Sequence, residues 1–245
     1  MPAYSPGTLD RVAVTAEVIP EKTFPVLDHG FLALDGALAS DLAVVNGARV
    51  SFNQASDEMT ERDEGLIGFL MRERHGSPFE HGYFRFLVKA PLFVVREHHR
   101  HRSGHSYNEW SGRYSKMEPE FYVPDFVRTQ VGKPGAYSFD PVDDETRETA
   151  RREIEENAMR AFEAYERMLE RGVAKEVARA VLPLSTYTKY YWSCNPRSLM
   201  HFCSLRNHQA AQYEIRQYAA AAETFLERLM PITHAAFVAN GRVSP

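Results

Sequence analysis

The segment from Arg100 to Tyr114 reads Arg-His-Arg-Ser-Gly-His-Ser-Tyr-Asn-Glu-Trp-Ser-Gly-Arg-Tyr and restricts the fold and function of this chain more than any other. Arg96, His98 and His99 precede it and extend a dense cationic stretch. The chain as a whole carries a net charge of −4 over 245 residues, without the general basic excess of a nucleic-acid binder. A local basic cluster on an acidic chain suits a small anionic ligand better than a long polyanion.

The order of polar groups in this segment indicates a nucleotide site. If a helix starting at Pro91 runs to about residue 101, Arg96 and Arg100 are stacked at i, i+4, as are His98 and Arg102. Paired cations of this kind grip a diphosphate through charge-assisted hydrogen bonds. A loop is predicted to follow, with hydroxyl, amide, carboxylate and cationic groups at Ser106, Asn108, Glu109, Ser111 and Arg113. Together these groups can contact a base edge, ribose hydroxyls and a phosphate. A binding site is therefore a better interpretation of the segment than a solvated basic helix.

The flanking sequence predicts strands and amphipathic helices without the βαβ alternation of a doubly wound sheet. Alternating apolar residues predict strands near residues 31–34, 84–88 and 184–192. Helix starts are predicted at Ser40, Thr60 and Asn195-Pro196, and long helices over 143–171 and near 215–229. We therefore expect an α/β fold of the α+β kind, a mixed or antiparallel sheet flanked by long helices, and no Rossmann fingerprint.

The domain organisation is predicted to be simple. Residues 1–25 resemble an irregular arm, 26–230 a single domain and 231–245 a C-terminal tail. No apolar run approaches the ~20 residues of a membrane span, and the first residues lack the layout of a signal peptide. The two cysteines, Cys194 and Cys203, have no CxxC spacing and fit a reducing compartment. We expect a cytoplasmic protein.

A family resemblance enters with Arg100-His101-Arg102, eight residues, then Ser111. This spacing resembles the RHR-x(7–8)-S signature of flavin-dependent thymidylate synthases, and the adjoining Ser106 to Ser115 resembles that family's SxNExSxRY. Other segments of this chain resemble the family and occur in the same order as in the family. The similarity covers about residues 26–230. They are residues 48–52 (ARVSF), 75–81 (HGSPFEH), 89–91 (KAP), 178–183 (ARAVLP), 195–200 (NPRSLM), 205–206 (LR) and 212–215 (QYEI).

The resemblance implies an FAD- and NADPH-dependent methyltransferase of de novo dTMP biosynthesis. Such an enzyme transfers a one-carbon unit from 5,10-methylenetetrahydrofolate to dUMP; reduced FAD supplies the hydride, and NADPH regenerates the reduced flavin. It also implies the fold of that family, a homotetramer with shared active sites, and no nucleic-acid, membrane or metal partner.

The resemblance implies the following site residues. FAD contacts are expected at Ser77, Arg100, His101, Arg102, Glu109, Asn195, Arg197 and His201. dUMP contacts are expected at Glu97, His98, His99, Arg100, Glu109, Trp110, Ser111, Gly112, Arg113, Arg179 and Arg206.

Physical reasoning supports several of these assignments. Asn195 and Arg197 lie at a predicted helix start, where free N–H groups and a cation favour an anion. Arg113 and Arg179 are suitable phosphate ligands. Arg206 is the predicted catalytic residue, because a fixed guanidinium beside a uracil ring favours its anionic form and makes C5 a better nucleophile.

Three departures from the family pattern stand out. Glu97 replaces a frequent glutamine and needs a cation such as Arg96 or Arg100 to neutralise it. His201 replaces a frequent asparagine, and Ala210 stands where the family carries a histidine. His208 lies two positions earlier, and the sequence leaves open whether it takes the place of that histidine.

Rival interpretations remain at this point. Ser111 is an alternative nucleophile, although no orienting His/Asp pair surrounds it, and the cysteines lie in no matching motif. A non-catalytic nucleic-acid or nucleotide-binding module built around Arg96 to Arg113 would bind polynucleotides with a steep salt dependence and would carry no chromophore. A metal-dependent hydrolase would use the histidine cluster. A second set, Cys194, His201 and His208, recurs every seven residues but lacks the fourth ligand of a zinc site.

Overall fold

The computed structural model describes residues 22–245, which contain seven strands and eight α-helices. The strands are Thr23–Val26 (β1), Gly30–Leu38 (β2), Tyr83–Pro91 (β3), His105–Glu109 (β4), Val131–Lys133 (β5), Ala136–Ser138 (β6) and Tyr187–Cys194 (β7). The helices are Asp41–Arg49 (α1), Glu61–Arg72 (α2), Leu92–His98 (α3), Asp144–Glu170 (α4), Lys175–Ala178 (α5), Pro196–Arg206 (α6), Tyr213–Leu229 (α7) and Pro231–Ala239 (α8). Short 3₁₀ turns cover Val50–Phe52, Ser77–Glu80 and Arg179–Val181.

Five of the strands form one sheet in the order β1-β2-β3-β7-β4, and all its pairings are antiparallel. This is the antiparallel alternative of the predicted fold class, with helices α6 and α7 covering one face. The strands β5 and β6 form a separate exposed hairpin in the region predicted to be a surface linker. No helix within residues 22–245 is long and apolar enough to cross a membrane.

The main core lies between the sheet and these two helices. Phe84, Phe86 and Val88 alternate along β3 and are fully buried, as their period-two pattern predicts. Phe86 pairs in register with Trp192 of β7, and their ring centroids are 4.9 Å apart. A second cluster lies beneath α4, where Phe162 and Tyr165 are among the buried residues.

Helix starts predicted from capping residues are confirmed. The Ser40 hydroxyl accepts a hydrogen bond from the Ala43 N–H at 3.1 Å. The Asp63 carboxylate accepts from the Thr60 N–H at 2.8 Å, as expected for a capping box. Asn195 caps α6 by accepting from the Ser198 N–H at 2.8 Å.

The predicted helix around the signature is too long, and the first part of the predicted loop after it is a strand. Helix α3 ends at His98, so Arg100 and Arg102 are not stacked on it. The N–H groups of Arg100 and His101 donate to carbonyls three residues back, at 3.2 and 3.0 Å, which tightens the chain into a turn. Residues 105–109 then form β4, because they pair with β7 along their whole length.

The predicted ends of the domain also need correction. Strand β1 begins at Thr23, inside the range predicted to be irregular, because it pairs with β2; residues 1–21 lie outside the described part. The predicted C-terminal tail begins with α8, whose Thr233 and Phe237 are buried. The carboxylate of Asp41 accepts hydrogen bonds from the N–H groups of Ile232 and Thr233, at 3.0 and 2.8 Å, and so caps this helix from α1.

Candidate active site

Arg206, the last residue of α6, lies at the centre of a hydrogen-bonded group that we call the guanidinium centre: Glu97, His101 and Arg206. Its Nε donates to His101 Nε2 at 2.9 Å, and its Nη1 donates to Glu97 Oε2 at 3.0 Å. Its Nη2 reaches the Glu97 carbonyl oxygen at 3.4 Å. The Arg206 side chain is 23% exposed, so a held cation still faces solvent.

The protonation states at this centre follow from burial. Burial and the neighbouring Arg206 lower the pKa of His101 to about 4, so its ring is neutral at pH 7 and accepts a hydrogen bond. Burial raises the pKa of Glu97 and Arg206 opposes that rise. The cation expected to neutralise Glu97 was Arg96 or Arg100, whereas the structure shows that it is Arg206.

The turn before β4 is held by aromatic side chains. The Tyr107 hydroxyl lies 3.1 Å from the His98 carbonyl oxygen and 2.9 Å from that of His101. The His98 ring lies 2.6 Å from the Tyr190 hydroxyl through Nδ1 and stacks on Phe202 at 4.5 Å. These bonds fix the backbone that carries Glu97 and His101.

His98 itself is a core residue, only 1% exposed. Burial, followed by the neighbouring histidines, holds its pKa well below the usual range. The ring is enclosed between β7 and α6, so it presents no exposed face to the nucleotide that is predicted to contact His98. His99, beside it, is half-buried against Tyr107, with ring centroids 4.5 Å apart, and burial also lowers its pKa.

A groove lies where the turn at Ser103 and Gly104 meets the start of α6. Its volume is about 490 Å³, within the range of small-molecule sites. The lining residues are Glu80, Ser103, Gly104, Asn195, Arg197, Ser198, His201, Ser244 and Pro245. Gly104 is needed here because its φ is +71° and a Cβ would lie 2.1 Å from the Ser198 hydroxyl oxygen. The groove thus contains three predicted site residues: Asn195, Arg197 and His201.

The donors of this groove suit an anionic group. The positive end of the α6 dipole lies here, and Arg197 adds a guanidinium. Arg197 donates to Glu80 at 2.5 Å and to the Pro245 carbonyl oxygen at 2.6 Å. The His201 ring lies 6.2 Å from that of His101, which joins the groove to the guanidinium centre.

Ser111, Gly112, Arg113 and Tyr114 form a tight turn that we call the Ser111 turn. The Tyr114 N–H donates to the Ser111 carbonyl at 3.0 Å. A Cβ on Gly112 would lie 3.3 Å from Arg179 Cδ, so Arg179 packs against this turn. Arg113 donates to Glu176 at 3.0 Å, and both arginines are exposed. The structure therefore brings the two predicted phosphate ligands to one exposed surface.

The remaining predicted residues lie between or beside these sites. Glu109, the last residue of β4, accepts a hydrogen bond from the Thr188 hydroxyl at 2.9 Å. Trp110 follows it, with the Lys189 ammonium 5.6 Å from its ring centroid. Arg100 and Arg102 are exposed in the turn after α3, and Ser77 is exposed in the 3₁₀ turn that carries Glu80.

The guanidinium centre and the Ser111 turn are separated by β4. Five strand residues, His105 to Glu109, span about 14 Å at the usual rise per residue. The structure therefore unites Arg206 with His101, and Arg113 with Arg179, but keeps the two pairs at opposite ends of one strand.

Sequence reasoning missed the residues that hold the site. Tyr107, Tyr190 and Thr188 bond site residues directly, and the Trp192 indole donates to His105 Nδ1 at 2.9 Å. Alternation along residues 184–192 predicted a strand, but nothing in that pattern indicates that its polar atoms meet α3 and β4.

Neither cysteine supports a nucleophilic role. Cys194 and Cys203 are free and buried, and burial raises the pKa of both thiols well above the usual value. Within residues 22–245, no group of three or more His, Cys, Asp or Glu side chains is arranged to hold a metal ion.

This chain is similar to known proteins over most of its length. Residues 34–232 match the family described as thymidylate synthase complementing protein. The chain is 49% identical over 221 residues to a flavin-dependent thymidylate synthase of Streptomyces coelicolor, covering 84% of this chain and 90% of that protein. A flavin-dependent thymidylate synthase of Tropheryma whipplei is 47% identical over 220 residues, covering 84% of this chain and 91% of that protein.

A solved structure is similar in fold as well as in sequence. The UMP/dUMP methylase PolB of Streptomyces cacaoi, crystallised with 5-Br dUMP, superposes with a TM-score of 0.83 at 45% identity, covering 91% of this chain and all of that one. On these matches, and on the signature segment that carries His101 and the Ser111 turn, this chain belongs to the flavin-dependent thymidylate synthase family.

Proposed function

We propose that this protein converts dUMP to dTMP by reductive methylation, with 5,10-methylenetetrahydrofolate as carbon donor, FAD as cofactor and NADPH as reductant. The names of its relatives and the nucleotide analogue bound to PolB support this reaction. The observation that carries the proposal is the guanidinium of Arg206, which is held by Glu97 and His101 and remains partly exposed.

We assign Arg206 to the uracil ring. A fixed positive charge beside the ring lowers the pKa of its imide, and each unit corresponds to about 1.4 kcal/mol of preference for the anion. Negative charge spread over the ring makes C5 a stronger nucleophile toward the one-carbon unit, which is electrostatic catalysis. Neutral His101 suits this arrangement, because a protonated ring would repel Arg206.

We assign the phosphate of the nucleotide to the Ser111 turn. Arg113 and Arg179 supply exposed guanidinium groups, and Ser111 supplies a hydroxyl. Ser111 is a binding residue in this proposal, not a nucleophile. The proposed nucleotide contacts are Glu97, His99, Arg100, Glu109, Trp110, Ser111, Gly112, Arg113, Arg179 and Arg206.

The groove at the start of α6 fits part of a flavin dinucleotide. Its helix start and guanidinium suit the diphosphate, and its hydroxyls and His201 suit polar edges of the ligand. Bound FAD would supply the hydride of the reaction. The residues proposed to hold it are Ser77, Arg100, His101, Arg102, Glu109, Asn195, Arg197 and His201. For Arg197 to hold the diphosphate, its bond to Pro245 must be exchanged for one to the ligand.

We also propose a homotetramer in which chains share active sites. Within one chain the phosphate grip and Arg206 lie at opposite ends of β4, so contacts from a second copy would complete each site. Large exposed apolar side chains support such an assembly: Phe52 and Tyr114 are 77% and 73% exposed. Two free, buried thiols also suit our proposal of a cytoplasmic location.

The test begins with the purified protein. A yellow protein that releases FAD on denaturation, and that forms dTMP only with dUMP, methylenetetrahydrofolate and NADPH together, would support the proposal. Sedimentation would give the mass of the assembly. Protein that binds no added FAD and oxidises no NADPH when dUMP is supplied would reject it.

A further inference from the structure

We propose that Glu97 is a positioning residue for Arg206: together with His101 it fixes the guanidinium in the orientation that the reaction needs, and full turnover therefore requires Glu97 to be ionised. This inference rests on the proposed function and assigns a specific role to a residue at which this chain departs from its family's frequent glutamine.

The geometry carries the first step. A guanidinium is planar and has five N–H bonds. In this structure three of its donor contacts are made within the chain, through Nε to His101 and through Nη1 and Nη2 to the side chain and backbone of Glu97. Contacts on different edges of a plane fix its tilt as well as its position. Two N–H bonds are left for a ligand.

The two supports are themselves fixed. Both lie on the tight turn that ends α3, and the Tyr107 hydroxyl bonds the backbone of this turn at His98 and His101. His101 is 8% exposed and packs against Phe202, with ring centroids 5.0 Å apart. Arg206 therefore receives its orientation from a rigid segment and not from a mobile surface side chain.

The charges around Glu97 come from three elements. Arg206 faces it from α6, His101 from the turn, and Glu214 from α7. Burial acts to raise the pKa of Glu214, but hydrogen bonds from Arg128 and Gln212 outweigh it and the pKa is lowered. Burial raises the pKa of Glu97 above its usual 4.5, whereas that of His101 is lowered to about 4. Of Glu97, His101 and Glu214, Glu97 is thus the first to take up a proton as pH falls.

Protonation of Glu97 removes the charge-assisted bond to Arg206. The neutral carboxyl holds the guanidinium less firmly, since hydrogen bonds to ionised groups are roughly twice as strong as neutral ones. We therefore expect turnover to decline on the acid side as Glu97 becomes protonated. A glutamine at this position keeps the accepting oxygen and does not titrate.

The experiment compares Glu97→Gln and Glu97→Ala with the unaltered holoenzyme, recording kcat and KM for dUMP from about pH 5 to pH 9. Flavin absorbance at each pH establishes that FAD stays bound, and thermal melting establishes that each variant is folded. Glu163→Gln is the matched control, because Glu163 forms an exposed ion pair with Arg167 on α4.

We expect Glu97→Gln to lower kcat at pH 8 by about five-fold, about 1 kcal/mol, because a neutral acceptor replaces an ionised one, and to lose the acid decline. Glu97→Ala should lower kcat by about 100-fold, the scale of loss when a reacting group is misplaced. The Glu163→Gln profile should match that of the unaltered enzyme. An unchanged acid decline in Glu97→Gln overturns the inference, and so does equal loss in both Glu97 variants. Failure of the unaltered enzyme to form dTMP would instead reject the proposed function.

Discussion

The guanidinium centre and the Ser111 turn lie at opposite ends of β4 and differ in burial and in the partners of their cations. Arg206 is partly buried and its side chain is bonded to two residues of a rigid turn. Arg113 and Arg179 are exposed, and the Arg113 side chain bonds across the surface to Glu176. A cation that must act on a reacting ring is oriented by the fold, whereas cations that grip a phosphate can remain exposed until the ligand binds.

The largest effect should come from removing the oriented cation. Arg206→Ala should reduce kcat by about 10³-fold, because a fixed charge beside the reacting ring is lost. Steady-state assays of dTMP formation measure this effect, and a thermal melt establishes that the variant folds.

Ser111→Ala is the companion variant and should retain measurable turnover. Its hydroxyl lies in the exposed turn and binds the nucleotide in our proposal. Complete loss in both variants would restore Ser111 as a candidate nucleophile and remove the distinction between the two ends of β4.

Removing an exposed cation should mainly weaken binding. Arg179→Ala should raise KM for dUMP by about 10- to 100-fold, with a smaller change in kcat, because one charged hydrogen bond is worth about 1.5–3 kcal/mol. Arg167→Ala on α4 is the control, since Arg167 is an exposed, ion-paired arginine outside the site. A fall in kcat alone would contradict the assignment of Arg179 as a grip.

The burial of His98 should also make the free energy of unfolding sensitive to acid. Burial keeps the pKa of His98 well below its usual 6.5, so the unfolded chain binds a proton that the folded chain does not. Stability is therefore complete above about pH 6.5 and is lost as pH falls below it, by up to about 1.4 kcal/mol per pH unit for this one group.

Urea unfolding at several pH values measures this slope. In His98→Phe the free energy of unfolding should change less steeply with pH, by the contribution of one proton. This holds whatever the change in total stability. An equal slope in the two proteins would show that His98 does not carry the effect.

The smallest effect is expected at the Tyr107 hydroxyl. Tyr107→Phe removes its bonds to the carbonyls of His98 and His101 and should cost about 1 kcal/mol, or about 2–4 °C in Tm for a chain of this size. Scanning calorimetry measures the shift. If kcat falls by a larger factor than the loss of stability accounts for, the turn orients Arg206 even more directly than we infer.

Local sequence patterns predicted a large part of the fold. Helix α4 has the predicted bounds within a residue, because Asp143 caps its start and its apolar stripe repeats at helical spacing. Strands β3 and β7 follow alternation. Elements that depend on distant partners were missed: α8 is capped by Asp41 of α1, and β4 forms because β7 offers it an edge.

The site shows the same division. The Arg100 to Tyr114 segment, with the other segments similar to the family, predicted the family, an anionic ligand and the residue types of the candidate site, because motif spacing is a property of the chain alone. Tertiary structure decided which of those residues act together. It moved His98 into the core, joined Arg206 to Glu97 and His101 across more than 100 residues, and left Arg113 and Arg179 exposed at the far end of β4. Burial, hydrogen bonding and charge pairing depend on neighbours that the fold supplies, so no spacing along the chain could have shown them.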